Sequence, residues 1–180
     1  MSFDNYIYAN FNLELNKIIK KINEKKYSNL IFICIGTNKI VGDSLGPIVG
    51  EILKQNLKKK NVSIIGDLKE NVNIKNISKY IKYIENNYTK PYIISIDSAL
   101  SKTIAPENVF IIKKGLIPGS ALKKESKEIG NISIKGIVGR YDKNSLKNFY
   151  NLKTVDYKLI LRFSKNISKI ILKSIKFLNL

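Results

Sequence analysis

Two acids stand where they could do chemistry. Asp43 lies in "GTNKIVGDSLGP", a loop that gathers Gly36, Gly42, Gly46 and Pro47 within twelve positions, and Asp97 ends the apolar run "PYIISID", 54 positions later. Facing carboxylates can divide the labour of hydrolysis. When close they cannot both ionise cheaply, so one keeps a proton and the pair can activate a water while protonating a leaving group. The chain contains no histidine, which excludes Ser-His-Asp and Cys-His catalysis and removes the commonest transition-metal ligand. Cys34 is the single cysteine; within an apolar run it reads as a buried, inert thiol, and neither an intrachain disulfide nor a thiolate cluster can form.

Each acid also has a plainer reading. Asp43 could cap the helix that follows, a role worth about 1 kcal/mol, and Asp97 could simply close a strand. Ser44 and Ser98 adjoin the two acids and, with Gly42, are candidate substrate contacts. As nucleophiles the serines would need a lysine base, and lysine is too abundant for its proximity to be informative. The "GLIPGS" segment supplies a turn at Pro118 and Gly119, with Gly119 suited to positive φ; its functional reading is a backbone wall for an extended peptide. The Gly-rich loop lacks both the GK[ST] ending of a P-loop and the GxGxxG dinucleotide fingerprint.

The elements that must position these residues follow from hydrophobic periodicity. Residues 10–26 read as an amphipathic helix with Leu13, Ile18, Ile19 and Ile22 at helical spacing. "NLIFICIG" reads as a strand buried on both faces. "LGPIVGEILKQNLKKK" is a helix with Pro47 tolerated in its first turn. The strand "VSIIG", the helix "IKNISKYIKYIENN", the strand "KPYIISIDSAL", the strands "NVFIIKKG" and "NISIKGIVG", and one long C-terminal helix complete the order β-α-β-α-β-β-β-α. In the last helix Leu159, Phe163, Ile167, Ile170, Ile171 and Ile175 could share a face. Such alternation predicts one α/β domain over residues 1–180, mostly parallel with one mixed edge. Ligands of such sheets bind beyond the carboxyl ends of the strands. Both acids leave strands at that end, so they are expected at one rim, within direct or water-bridged reach.

The formal charge is +18, from 32 Lys and Arg against 14 Asp and Glu. Arginine occurs only at Arg140 and Arg162, and the lysines are scattered with few aromatics between them, so a solvated lysine surface is a better reading than dedicated nucleic-acid binding. The excess favours loose association with acidic partners or anionic membrane. The start "MSFDNYIYANFNLEL" lacks a basic n-region, and no apolar run approaches the roughly 18 residues of a membrane span; an intracellular, soluble protein is expected. Composition dictates no oligomeric state.

"CIGTNKIVGDSLGPIVG", "YIISIDSALS" and "GLIPGSALKKESKEIGNISIKGIVG" together resemble the YyaC family of sporulation proteins from spore-forming Firmicutes. That family is related to the germination protease that degrades small acid-soluble spore proteins, and more distantly to hydrogenase maturation proteases. The resemblance covers residues 28 to 140. It implies a three-layer α/β/α sandwich of the phosphorylase/hydrolase-like type and a cytoplasmic setting in the sporulating cell or spore. It also implies that Asp43 and Asp97 match the catalytic acids of the germination protease. In the hydrogenase enzymes these positions carry metal-binding acids with a further histidine ligand, which this chain lacks, so no metal and no cofactor is expected. Asp67 could be a third acid at the rim, and the segment after Gly119 departs from the family's Gly-rich run. Two functions follow as expectations: a peptidase acting through the Asp pair on a protein or peptide substrate, acidic spore proteins among them, or a non-catalytic peptide- or protein-binding factor on the same fold.

Overall fold

The run Asn29–Cys34 forms β1, and five of its six residues are buried. It pairs in parallel with β2 (Val62–Ile65) on one side and with β3 (Pro91–Ser101) on the other. β4 (Val109–Ile112) is antiparallel to β5 (Ile132–Arg140), which is parallel to β3. The order β2-β1-β3-β5-β4 is the mostly parallel sheet with one mixed edge that the alternating pattern predicts. The computed structural model describes residues 3–25, 27–115 and 129–176; the Pro118–Gly119 turn and the lysine-rich segment after it lie outside them.

Period-two alternation divides β1 between two cores. Leu30, Phe32 and Cys34 enter the larger one, which the helices α1 (Phe3–Glu24), α2 (Leu45–Asn56) and α5 (Tyr157–Ile175) cover. Ile31 and Ile33 enter the smaller one under α3 (Ile77–Asn87). The sheet is thus flanked by helices on both faces, the three-layer arrangement expected. Cys34 is fully buried and unpaired, and burial pushes its thiol far up. Among the described residues no helix is long and apolar enough to cross a membrane.

Three details differ from the sequence reading. α1 begins at Phe3 instead of near residue 10, and its buried stripe is Phe11, Leu15, Ile19 and Ile22, whereas Leu13 is 57% exposed. Stepping back from Ile19 by four leads to Leu15 and Phe11, a longer and better-filled stripe than one through Leu13. In α5 the core face uses Ile160, not Leu159, with Phe163, Ile167, Ile171 and Ile175. A separate helix, α4 (Ser145–Lys153), precedes α5, started by Asn144, whose side chain accepts from the Leu146 N–H at 2.9 Å. It buries no residue, so no apolar periodicity announced it.

The phase of α1 is testable. Leu15→Ala should cost about 2–5 kcal/mol in denaturant unfolding and Leu13→Ala within about 0.5 kcal/mol; equal costs would contradict the stripe.

Candidate active site

Asp43 sits in a 3₁₀ turn, Val41–Ser44, between β1 and α2. The turn is pinned from below. The Thr37 N–H donates to the Asp43 carbonyl at 3.1 Å, the Asp43 N–H donates to Ile40 O at 3.0 Å, and the Gly36 N–H donates to Val72 O at 2.8 Å. Gly36 has φ +139°, and a Cβ there would lie 2.0 Å from the Asp43 carbonyl oxygen; only glycine lets the chain fold back so closely. A Cβ on Gly42 would lie 2.8 Å from Leu152 O in α4. The loop's glycines therefore admit the chain's own backbone. Gly42 is buried under α4, and the Ser44 hydroxyl, 4% exposed, donates to Val41 O at 2.6 Å. Neither is placed to touch a ligand.

Helix capping does not consume Asp43: the N-cap of α2 is Ser44, with no side-chain capping bond. The Asp43 carboxylate instead faces β3, where the Ser98 hydroxyl donates to Oδ1 at 3.5 Å, the long end of hydrogen bonding. Asp97, one residue earlier, is level with Lys135 on β5 in the strand register. Lys135 Nζ lies 3.7 Å from Asp97 Oδ2, and the Asp97 side chain is 18% exposed. The turn after β1 and the strand β3 thus bring both acids to the carboxyl-end rim of the sheet, near enough for the charge of Asp97 to act on Asp43.

Burial pushes the Asp43 carboxyl up to about 7, with the charge of Asp97 adding to it; the Thr37 amide and the Ser98 hydroxyl oppose the shift. Burial also pushes Asp97 up to about 6, opposed by the Lys135 ammonium and the Ser98 amide. Near neutral pH the pair holds a proton, the condition for combined acid and base action. Lys135 was not singled out in the sequence because lysine is so common there. Its signal was a charge at the centre of the apolar strand "ISIKGIVG", one residue from the buried Ile134.

Asp67 does not join the pair. It is 6% exposed and accepts from the Lys69 N–H at 2.8 Å, from the Glu70 N–H at 2.6 Å and from the Lys54 ammonium. Burial pushes its carboxyl up, but the Glu70 amide, Lys54 and the Lys69 amide outweigh it and the net direction is down. It braces the turn after β2. As for a metal, no three His, Cys, Asp or Glu side chains converge among the described residues, and an ion on Asp97 would meet the Lys135 ammonium. This donor set does not fit one.

Sheet order and helical layers place the chain in the α/β fold of hydrogenase maturation proteases. The [NiFe] hydrogenase maturation protease HycI from Thermococcus kodakarensis KOD1 is similar over 88% of this chain and 99% of its own, with TM-score 0.59 and 13% identity. The maturating endopeptidase HybD from E. coli is similar over 82% and 92%, with TM-score 0.49 and 12% identity. By sequence the chain belongs to the family described as Protein of unknown function (DUF1256), which matches residues 2–170. It is 33% identical over 109 residues to "Uncharacterized protein YyaC" of Bacillus subtilis (strain 168), a match that covers 61% of this chain and 53% of that relative. The match thus spans about half the length of the curated relative.

The raised carboxyls carry a stability consequence of definite sign. Both acids bind protons more tightly when folded than at their ordinary value of 3.8, so stability falls as pH rises from about 4 and levels off above about 7. Asp43→Asn should therefore melt higher than wild type at pH 8, by roughly 1–2 kcal/mol after allowance for partial solvent access, with the gain vanishing towards pH 4. A loss of stability at pH 8 would contradict the buried-charge account.

Proposed function

We propose that the chain is a peptidase in which Asp97 and Asp43 act as base and acid on a peptide bond of a protein substrate. The observation that carries this reading is the shared rim: two carboxyls raised to about 6 and about 7, neither consumed as a helix cap. Lys135 beside Asp97 favours its ionised form, so the ionised Asp97 takes a proton from water as the oxygen adds to the carbonyl carbon. Asp43, the higher of the two, gives its proton to the leaving nitrogen. The C–N bond breaks, yielding a free carboxylic acid and an amine, and the proton on Asp97 passes to Asp43, which restores the starting state. No metal enters the scheme. A fold shared with enzymes named as maturation proteases supports the class of reaction, and the resemblance to sporulation proteins suggests a sporulating cell as the setting, with acidic spore proteins as substrates.

A macromolecular substrate suits the surface beside the turn. Leu146, Phe149 and Tyr150 of α4 are 76%, 53% and 65% exposed, a cluster of large apolar groups of the kind that marks contact surfaces. The same cluster would serve a binding protein without chemistry, which is the second reading.

Purified chain incubated with acid-soluble spore proteins, or with a terminally extended precursor, should produce a discrete cut, fastest between about pH 6 and about pH 7, where the pair is singly protonated. Asp97→Asn should lower kcat by at least about a hundredfold, while Phe149→Ala should raise KM with kcat little changed. Equal retention of intact substrate by wild type and Asp97→Asn across that range would replace the peptidase with the binding protein.

A further inference from the structure

The inner face of α5 fills the core, while its outer face carries Lys165, Lys169, Lys173 and Lys176, all exposed. Their spacing of four, four and three residues aligns them in one stripe about 16 Å long. Among the described residues none of the four is ion-paired. All four line a groove of ≈ 740 Å³ that runs between α5 and the C-terminal half of α2. Its apolar lining is the half-buried Ile52, Leu57 and Leu172 over the buried Ile175, and among the described residues no acidic side chain lines it. A second groove of ≈ 430 Å³, between α1 and α5, shares Lys169 and Lys173, so the stripe forms the ridge between two troughs. α2 starts beside Asp43 and runs away from it, so the larger groove lies at the opposite end of the sheet from the acids.

A concave apolar floor with cations recurring about once per turn along one wall complements one shape and charge pattern: a helix with an apolar stripe and carboxylates beside it. Among the described residues neither arginine nor an aromatic ring lines the groove, so this lining offers no group that grips phosphate bidentately or stacks on bases. A flat anionic bilayer would meet the lysines and leave the floor wet. We infer that this groove docks an acidic amphipathic helix of a partner protein, its apolar residues on the floor and its Glu or Asp side chains against the α5 lysines.

The probe is a labelled synthetic peptide of about 18 residues, leucine at i, i+3, i+4 and i+7 and glutamate between, followed by fluorescence anisotropy with the full chain. Saturable binding is expected, weakening by about tenfold or more between about 0.05 and 0.5 M salt. The double variant Lys169→Glu/Lys173→Glu should lose about tenfold or more, and Leu172→Glu a similar amount, whereas the charge-matched pair Lys113→Glu/Lys143→Glu should bind as wild type does. Melting curves establish that each variant is folded. Asp97→Asn should bind unchanged, which separates this site from hydrolysis. Equal loss in both lysine pairs would reduce the effect to bulk charge, and equal affinity for a scrambled peptide would remove the helix; either overturns the proposal. Tighter binding of single-stranded oligonucleotide or of phosphatidylglycerol vesicles through Lys169 and Lys173 would overturn it in favour of nucleic acid or membrane. A tenfold gain on deleting residues 177–180 would identify the chain's own tail as the occupant and overturn it as well.

Discussion

Withdrawing two carboxylates from water at one rim of a sheet is unfavourable, and the surrounding structure is arranged around that cost. Charge in a poorly solvated place either finds a partner or takes up a proton. Asp97 has Lys135 on the neighbouring strand, while Asp43 has a long contact from Ser98 and the Thr37 amide. The asymmetry separates the two acids. The one beside the ammonium is the better anion, and the one without it is the better proton holder, although both rise because burial outweighs every compensating contact.

Holding the pair demands a rigid rim, and a chain of braces supplies it. Lys54 of α2 meets Asp67, whose carboxylate gathers the Lys69 and Glu70 amides. Asn71, next in the same turn, accepts from the Asn38 N–H at 3.0 Å, and the Asn38 side chain donates to Leu68 O at 2.8 Å. Asn38 belongs to the loop that ends at Asp43. The acid expected as a third member of the site thus acts by fixing the turn on which the Asp43 loop leans. The distinction is physical: an acid held ionised by two amides and an ammonium has no proton to give a substrate and is fixed against its own turn.

The fold was legible in the sequence because burial imposes periodicity. β1, the Asp97 strand and α5 read correctly, since each must present apolar groups at two-residue or helical spacing, and Asp97 stood out as a charge ending an apolar run, Asp43 as the acid of a Gly-rich loop. What escaped notice did so where burial leaves no pattern. α4 has no fully buried residue, so beyond the partial packing of Leu152 its helix leaves no apolar stripe and starts on the Asn144 cap. Lys135 was hidden by the abundance of lysine, and its role depends on a register between β3 and β5 that only pairing reveals. The glycines near Asp43 signalled close approach correctly. Whether ligand or backbone fills that space depends on α4 and the folded loop, elements distant in sequence or without a pattern of their own.

The charge imbalance is set by composition, and where the few acids are used leaves it on the surface. With 14 acids against 32 basic residues, Asp67 braces a turn, Asp156 caps α5, Glu107 holds Arg162 through two hydrogen bonds of 3.0 and 2.6 Å, and Asp43 and Asp97 occupy the rim. Acids committed to local geometry leave the outer lysines largely unneutralised, so the surface field is positive. That field favours anionic carboxylates at the rim, yet it is screened beyond about 10 Å in ordinary salt, whereas desolvation acts at the carboxyl itself and is not screened. Local burial therefore sets the protonation of the pair. The long-range charge acts mainly on what approaches the protein, drawing in acidic chains before any contact selects among them.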